Sequence, residues 1–497
     1  MSQAVEAAAV FAAGAGAIAA AVRDGRCSAA AMVAEHQRRA AAAAGLNALV
    51  QPCLARATLA ADEIDRRLSD GVLGDAPLAG VPVSVKECFP VRGLATTLGI
   101  VHRRGVVDRD DAEVVRRIEA AGGVVVGKAN VPQAMYLHET DNPVWGRTSN
   151  PRDAARGPGG SSGGDAALVA AGVVPLGIGN DLAGSLRQPA HVCGITTLVP
   201  RTCAVGRGGA FETMPGLRGV SSRAGFLARQ VGDLELALAA VTALGPPQAP
   251  AAVQRIAWWD DAGPIASSPA VRRGVQEAVA RLAARGVATV RVTGDLAAEA
   301  AWLHLGILAA DGGADVRRLF AGERPIRGVA KLLAIAGLPR RWRAAVAAVL
   351  RASGGRIEAE GILRTGRRTD AERDELLAAR DVLASRFAGL IAGCDAVVCP
   401  VSSLPALRHG TAARLVLAAA PCLLASLLDL PAGVVPITTV GAGEQAARRW
   451  SADRVLRAAA ATDRGSVGLP IGVQVVGSPG SDEATVLAVL RLLESQA

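Results

Sequence analysis

Two serine-bearing stretches and one lysine carry most of the chemistry that can be read from the chain. Residues 157–164 read Gly-Pro-Gly-Gly-Ser-Ser-Gly-Gly, and residues 179–190 read Gly-Asn-Asp-Leu-Ala-Gly-Ser-Leu-Arg-Gln-Pro-Ala. Taken alone, a Gly/Ser run describes a flexible loop. This one lies in a long, weakly charged, apolar region directly before the helical pattern Ala166–Ala171, where a linker is not expected. Glycine permits positive φ and close backbone approach, so the loop can aim hydroxyls and N–H groups into a site or cradle a phosphate. The Gly-Lys-Ser/Thr ending of a phosphate-binding loop is absent, which weakens the second option. Ser185 follows small residues, which suits a nucleophile whose neighbouring N–H groups hold an oxyanion. It also suits a helix N-cap.

A serine nucleophile needs a base. None of His36, His102, His138, His191, His304 and His409 stands in a nucleophile–base motif, and the G-x-S-x-G elbow is absent. Lysine is rare, occurring only as Lys86, Lys128 and Lys331. Lys86 ends the apolar run Val81-Pro-Val-Ser-Val85. A lysine there is either desolvated, with a lowered pKa that makes the neutral amine available as a base, or held in an ion pair with Glu87 or Asp181.

These residues must be held by strands and helices. Val81–Val85 and Val124–Val126 have strand composition, and Asp111–Ala121 has helical spacing closed by Gly122-Gly123. The alternation continues through Val173–Ile178 and Asp233–Leu244, which predicts an α/β fold with a largely buried sheet. Residues 1–75 read as helical, and 245–255 form a Pro/Ala-rich connection. Residues 256–395 carry long helical patterns. Ala396–Cys399, Gly433–Ile437 and Ile471–Val476 return to strand composition, and Glu483–Leu493 is a terminal helix. No repeat of 20–50 residues is visible. The expected organisation is one domain over 1–497: a helical part (1–75), a core (76–245), a helical insertion (256–395) and a C-terminal part completing the sheet (396–497).

Composition narrows the class. With 51% hydrophobic and 20% charged residues, the chain is not disordered. Only 3% is aromatic, so Ala, Val, Leu and Gly must fill the core. The net charge of +9 comes from dispersed Arg without a basic block interleaved with aromatics, which argues against nucleic acid. A solvated basic surface, or attraction to an anionic membrane or substrate, remains open. The eight cysteines form no C-x-x-C pair, and most lie in apolar runs, so a reducing cytoplasm fits and no metal site is expected. Ala7–Val22 is uncharged but lacks a basic flank and is short for a membrane span, so it reads as a helix closed by Asp24 and Arg26.

Together the motifs resemble the amidase signature family. The resemblance rests on Gly80-Val-Pro-Val-Ser-Val-Lys-Glu87, Gly159-Gly-Ser-Ser-Gly-Gly164, Asp181 with Gly184-Ser-Leu-Arg187, and Leu469-Pro-Ile-Gly-Val-Gln474, over most of the chain. Lys86-Glu-Cys-Phe89, Asn130-Val-Pro-Gln133, Leu430-Pro-Ala-Gly-Val-Val-Pro436 and Ser466-Val-Gly-Leu-Pro470 are similar to the fatty acid amide hydrolase branch. The resemblance implies a large mixed, twisted sheet covered by helices on both faces, and hydrolysis of a linear carboxamide without a cofactor. It implies Ser185 as nucleophile, Ser161 after a cis Gly160–Ser161 bond as the bridging serine, and Lys86 as base. It further implies an oxyanion hole from the N–H groups of Leu182, Ala183, Gly184 and Ser185, supporting roles for Asp181 and Arg187, and a structural role for Ser162.

The chain departs from the family in places. Ala183-Gly184-Ser185 stands where Gly-Gly-Ser is usual, and Asn180 replaces the usual Thr. Val199-Pro-Arg-Thr202 and Gly225-Phe-Leu-Ala-Arg229 also differ. An extra Cβ at 183 is harmless at negative φ and straining at positive φ. Residues 326–351 combine apolar residues with Arg, Lys331 and Trp342. They fit either an interfacial pair resting on a membrane, as in the fatty acid amide hydrolase cap, or ordinary covering helices with snorkelling Arg. The rival readings are acyl transfer or ester cleavage through the same acyl-enzyme, and a degenerate scaffold or amidotransferase subunit. The first would be marked by amine acceptors outcompeting water, the second by copurifying subunits. Monomer and homodimer both remain open.

Overall fold

The computed structural model describes residues 3–242 and 252–494. Among them are eleven strands: β1 (Leu49–Pro52), β2 (Pro82–Lys86), β3 (Val124–Ala129), β4 (Leu176–Asp181), β5 (Thr196–Val199), β6 (Arg223–Ala228), β7 (Arg255–Trp258), β8 (Ala288–Arg291), β9 (Ala396–Pro400), β10 (Ala432–Thr439) and β11 (Pro470–Gly477). They form one mixed sheet in the order β1-β3-β2-β4-β6-β5-β10-β11-β9-β7-β8. Every residue of β2, β3, β4, β6, β9 and β11 is buried. Successive side chains point to opposite faces, so uniform burial means that both faces are covered. The expected α/β architecture is the observed one.

The elements differ from the sequence reading where strands are shortest. β1 lies within 1–75, read as helical, and β7 and β8 lie within 256–395, read as a helical insertion. Each has four residues, too few to establish a period. Their strand character comes from pairing: β1 against β3, and β7 between β8 and β9. Ala7–Val22 divides into helices Gln3–Ala12 and Ala15–Arg23, joined where Asp233 Oδ1 accepts from the Gly16 N–H at 2.9 Å. Most of the connection expected at 245–255 lies outside the described residues. No described helix is long and apolar enough to cross a membrane.

The functional stretches converge because β2, β3 and β4 run parallel, with Val85 of β2 opposite Lys128 of β3 and Ile178 of β4. The C-terminal ends of β2 and β4 therefore share an edge, the side of a parallel sheet where sites form. The helix Gly163–Ala170 begins at that edge and packs on β4 and β2. It sits so close to the preceding segment that Gly164 N–H donates to the Asn130 carbonyl at 3.1 Å. A methyl at Gly164 would overlap the Asn130 backbone. Gly164→Ala is expected to destabilise the protein by about 1–3 kcal/mol through overpacking, read as a lowered denaturation midpoint at unchanged m-value.

Candidate active site

Lys86 is the last residue of β2, and Asn180 and Asp181 are the last two of β4. Ser161 and Ser162 precede the helix Gly163–Ala170 at the same edge. Lys86 Nζ therefore lies 2.7 Å from Ser161 Oγ, 2.6 Å from Asn180 Oδ1 and 3.3 Å from the Asn180 carbonyl. Exposure rises from Lys86 at 0% through Ser161 at 2% to Ser185 at 8%, so Lys86 is sealed while Ser185, the least buried of the three, lines open space. Burial holds the Lys86 amine below the usual lysine value, with Cys88, Asp165 and Asp181 opposing the shift. Neither sequence-proposed ion pair of Lys86 forms. Glu87 instead accepts from the N–H and hydroxyl of Thr97 and the N–H of Leu98, and Asp181 pairs with Arg187. The Gly160–Ser161 bond is cis.

Ser162 N–H donates to the Ser185 carbonyl at 3.0 Å, clamping the two serine loops together. No hydrogen bond joins the hydroxyls of Ser161 and Ser185 among the described residues, although both open onto one cavity. Below Lys86, Asp165 Oδ1 accepts from Ser84 Oγ at 2.7 Å, and burial pushes its carboxyl up to about 7.

The loop carrying Ser185 is shaped by a fully buried ion pair. Arg187 Nη2 and Nε approach Asp181 Oδ1 and Oδ2 at 2.8 and 3.1 Å. Burial alone would raise the Asp181 pKa, but the Arg187 charge and hydrogen bonds hold it well below the usual carboxylate range. Arg187 also donates to the Cys422 carbonyl, Gln474 Oε1 and Ser426 Oγ at 2.8, 2.7 and 2.6 Å. Asp181 accepts from the N–H groups of Gly184 and Leu186 at 2.8 and 3.0 Å.

Of the four N–H groups expected to form an oxyanion hole, one is engaged within the loop. The Gly184 N–H is turned inward by the Asp181 carboxylate, whereas those of Leu182, Ala183 and Ser185 have no protein acceptor among the described residues. Gly184 has φ +94°, and a Cβ there would meet Cys422 Cβ and Sγ at 2.9 and 3.0 Å. Ala183 does not have positive φ, so its departure from glycine is sterically free. Its methyl packs near Ala301, Ala420 and Leu423.

Ser185 stands between two unlike cavities. One, of about 230 Å³, is lined by Leu182, Ala183, Leu305, Leu332, Ile335 and Ile362 among others. The other, of about 170 Å³, is lined by Ser161, Asn180, Arg207, Glu212, Thr213 and Ser222 together with apolar residues. His138 borders the first, and burial pushes its imidazole down to about 4. Sequence reasoning gave no role to His138, Ser222, Ser426 or Gln474. Only Gln474 carried a signal, inside a family motif.

The amidase family profile matches residues 31–486. Fatty-acid amide hydrolase 1 of Sus scrofa is 32% identical over 440 residues, 82% of this chain and 74% of that protein. Fatty acid amide hydrolase 1 of Caenorhabditis elegans is 28% identical over 466 residues, 87% of this chain and 79% of that one. A solved fatty acid amide hydrolase structure has the same fold, with TM-score 0.84 at 20% identity over 100% of this chain and 87% of that one.

The two loop residues separate experimentally. Gly184→Ala is expected to cost at least about 1–2 kcal/mol, since an L-residue is forced into left-handed space, and to abolish most activity. Ala183→Gly is expected to cost about 1 kcal/mol or less and to remain active. Paired thermal melts and turnover rates check both, and a fully active Gly184→Ala enzyme would refute this account of the loop.

Proposed function

Because the chain belongs to the amidase family and is a hydrolase of amide carbon–nitrogen bonds, we propose that it cleaves linear carboxamides with an apolar acyl chain through an acyl-enzyme on Ser185. The observation that carries this reading is the 2.7 Å contact between buried Lys86 and Ser161, which shares a cavity with Ser185, itself common to both cavities. Neutral Lys86 takes the Ser161 proton as Ser161 takes that of Ser185, and Ser185 Oγ attacks the carbonyl carbon. The N–H groups of Leu182, Ala183 and Ser185 hold the developing oxyanion. Return of the proton through Ser161 releases the amine, and water then frees the acid. The Asp181–Arg187 pair keeps the donors outward, and Ser162 keeps the two serines in register.

The substrate class follows from the cavities. The apolar one suits an acyl chain, and the more polar one suits the amine. The wall of the apolar cavity includes Leu332 and Ile335 on the helix Arg327–Ala336. The adjoining helix Arg340–Ala352 leaves Trp342 and Val349 at 54% and 68% exposure, seven residues apart on one face beside Arg341. This supports extending the proposal to peripheral contact with an anionic membrane through 326–351. Cosedimentation with anionic vesicles, weakened in Trp342→Ala, tests that extension; equal binding by the variant would remove it.

A fluorophosphonate probe is expected to label Ser185, with labelling lost in Ser185→Ala and greatly slowed in Lys86→Ala. Only the neutral amine accepts a proton, and burial lowers the Lys86 pKa from 10.5. Labelling should therefore be level above that lowered pKa and fall as pH drops through it. Among unbranched N-acyl amides, kcat/KM should rise with acyl length by up to roughly fourfold per carbon, the equivalent of about 0.8 kcal/mol per buried CH2. Preference for acetyl amides would contradict the proposed acyl pocket.

A further inference from the structure

Asn180 stands where the family resemblance leads one to expect threonine, and it makes the closest contact of the Lys86 amine. We propose that Asn180 is the positioning residue for Lys86, engaging two of the three directions around Nζ and leaving the third for Ser161. The inference rests on the Lys86–Ser161–Ser185 reading above and deepens it.

Hydrogen-bond valence assigns the directions around Nζ. A neutral amine has two N–H donors and one lone pair. Its neighbours are Asn180 Oδ1 at 2.6 Å, the Asn180 carbonyl at 3.3 Å and Ser161 Oγ at 2.7 Å. The two Asn180 oxygens can only accept, so they take the two N–H groups. Ser161 is the one neighbour of the three that can donate, so the lone pair meets its hydroxyl, as a base requires. The amide oxygen is the end that the lysine N–H requires, and at the other end Asn180 Nδ2 donates to Ser222 Oγ at 2.8 Å. Flipped, the amide would set its NH2 group against the amine in place of the acceptor oxygen, while its own oxygen could accept from the Ser222 hydroxyl.

Ser222 precedes β6, the strand in which Ala224 pairs with Asn180. Ser222 and Asn180 both line the more polar cavity, so the amide links the base to the space proposed for the leaving amine.

The titratable groups facing Lys86 are Cys88 beyond the end of its own strand, Asp165 on the helix Gly163–Ala170, Asp181 at the end of β4, and His138. Burial pushes the Cys88 thiol up to about 12 and the His138 imidazole down to about 4, so both are uncharged near neutrality. Arg187 compensates Asp181, and burial raises the Asp165 carboxyl to about 7. A carboxylate placed at 180 would be the nearest unpaired anion to the amine.

The test is the rate of fluorophosphonate labelling of Ser185, followed from neutral to alkaline pH in the full-length protein and normalised to folded protein. Asn180→Asp retains the shape and adds charge. It is expected to hold Lys86 protonated and to move the acid limb to higher pH by about one to three pH units. Asn180→Leu should slow labelling about 10²-fold across the range, the lower end of what a positioned base contributes. Asn180→Thr, which restores an acceptor oxygen, should recover at least about tenfold of that loss. A role confined to packing would change the amount of folded enzyme without moving the limb. An Asn180→Asp profile that overlies the unsubstituted one, or an Asn180→Leu enzyme labelled at full rate, would overturn this role while leaving the triad standing. Failure of the unsubstituted protein to label at Ser185 would remove the triad and this role with it.

Discussion

The ion pair between Asp181 and Arg187 is the constraint on which the site depends. Both side chains are fully buried, and an unpaired charge in their place would be expensive to hold. The structure meets that cost by hydrogen-bonding every polar side-chain atom of the pair itself. Asp181 gathers the loop's N–H groups, and Arg187 reaches Cys422, Ser426 and Gln474, residues 235 to 287 positions away in sequence. One guanidinium thus ties the end of β4 to β11 and to the segment before β10. The curvature of residues 182–186 follows from where the carboxylate pulls inward and where it does not.

The same edge of the sheet brings unlike solvents together. Behind the serines lie buried strands, and in front of them the helices Arg327–Ala336 and Arg356–Arg364 close an apolar space. Lys331 Nζ and Glu358 Oε1, 2.7 Å apart, join these two helices at the cavity wall. On the opposite side, residues 207–222 border a space with more polar groups. A carbonyl held at Ser185 would have hydrocarbon to one side and hydrogen-bonding groups to the other, an asymmetry that orients an amide before any chemistry begins.

Much of this was legible in the residues and some was not. Lys86, Ser161 and Ser185 stood out because their neighbours are unusual: a lysine ending an apolar strand, and serines set among glycines. The contact between Lys86 and Asn180 follows from parallel pairing of β2 and β4, and Ser161 reaches the amine from the loop before the helix Gly163–Ala170. The tolerance of Ala183 depends on a dihedral angle, and the engagement of the Gly184 N–H by Asp181 depends on the direction of one N–H. Neither is written in residue type. Asn180 could be recognised as a departure, but its partner Ser222 lies 42 positions on, joined through antiparallel pairing of β4 with β6. Strands β1, β5, β7 and β8 have four residues each and take their character from neighbours in the sheet. In the segment 326–351, an amphipathic pattern fixes two faces without saying that one becomes the wall of a cavity.

The complete burial of Lys86 has a consequence for how protons travel. An amine with no contact with solvent cannot hand its charge to buffer, and the serine hydroxyl beside it is its route outward. In the proposed cycle, the proton taken when Ser185 attacks is captive, and the departing nitrogen is its destination. Acid catalysis is thereby supplied from within, in the same turnover and by the same atom that served as base. The identity and concentration of external acids should leave the breakdown of the tetrahedral adduct untouched.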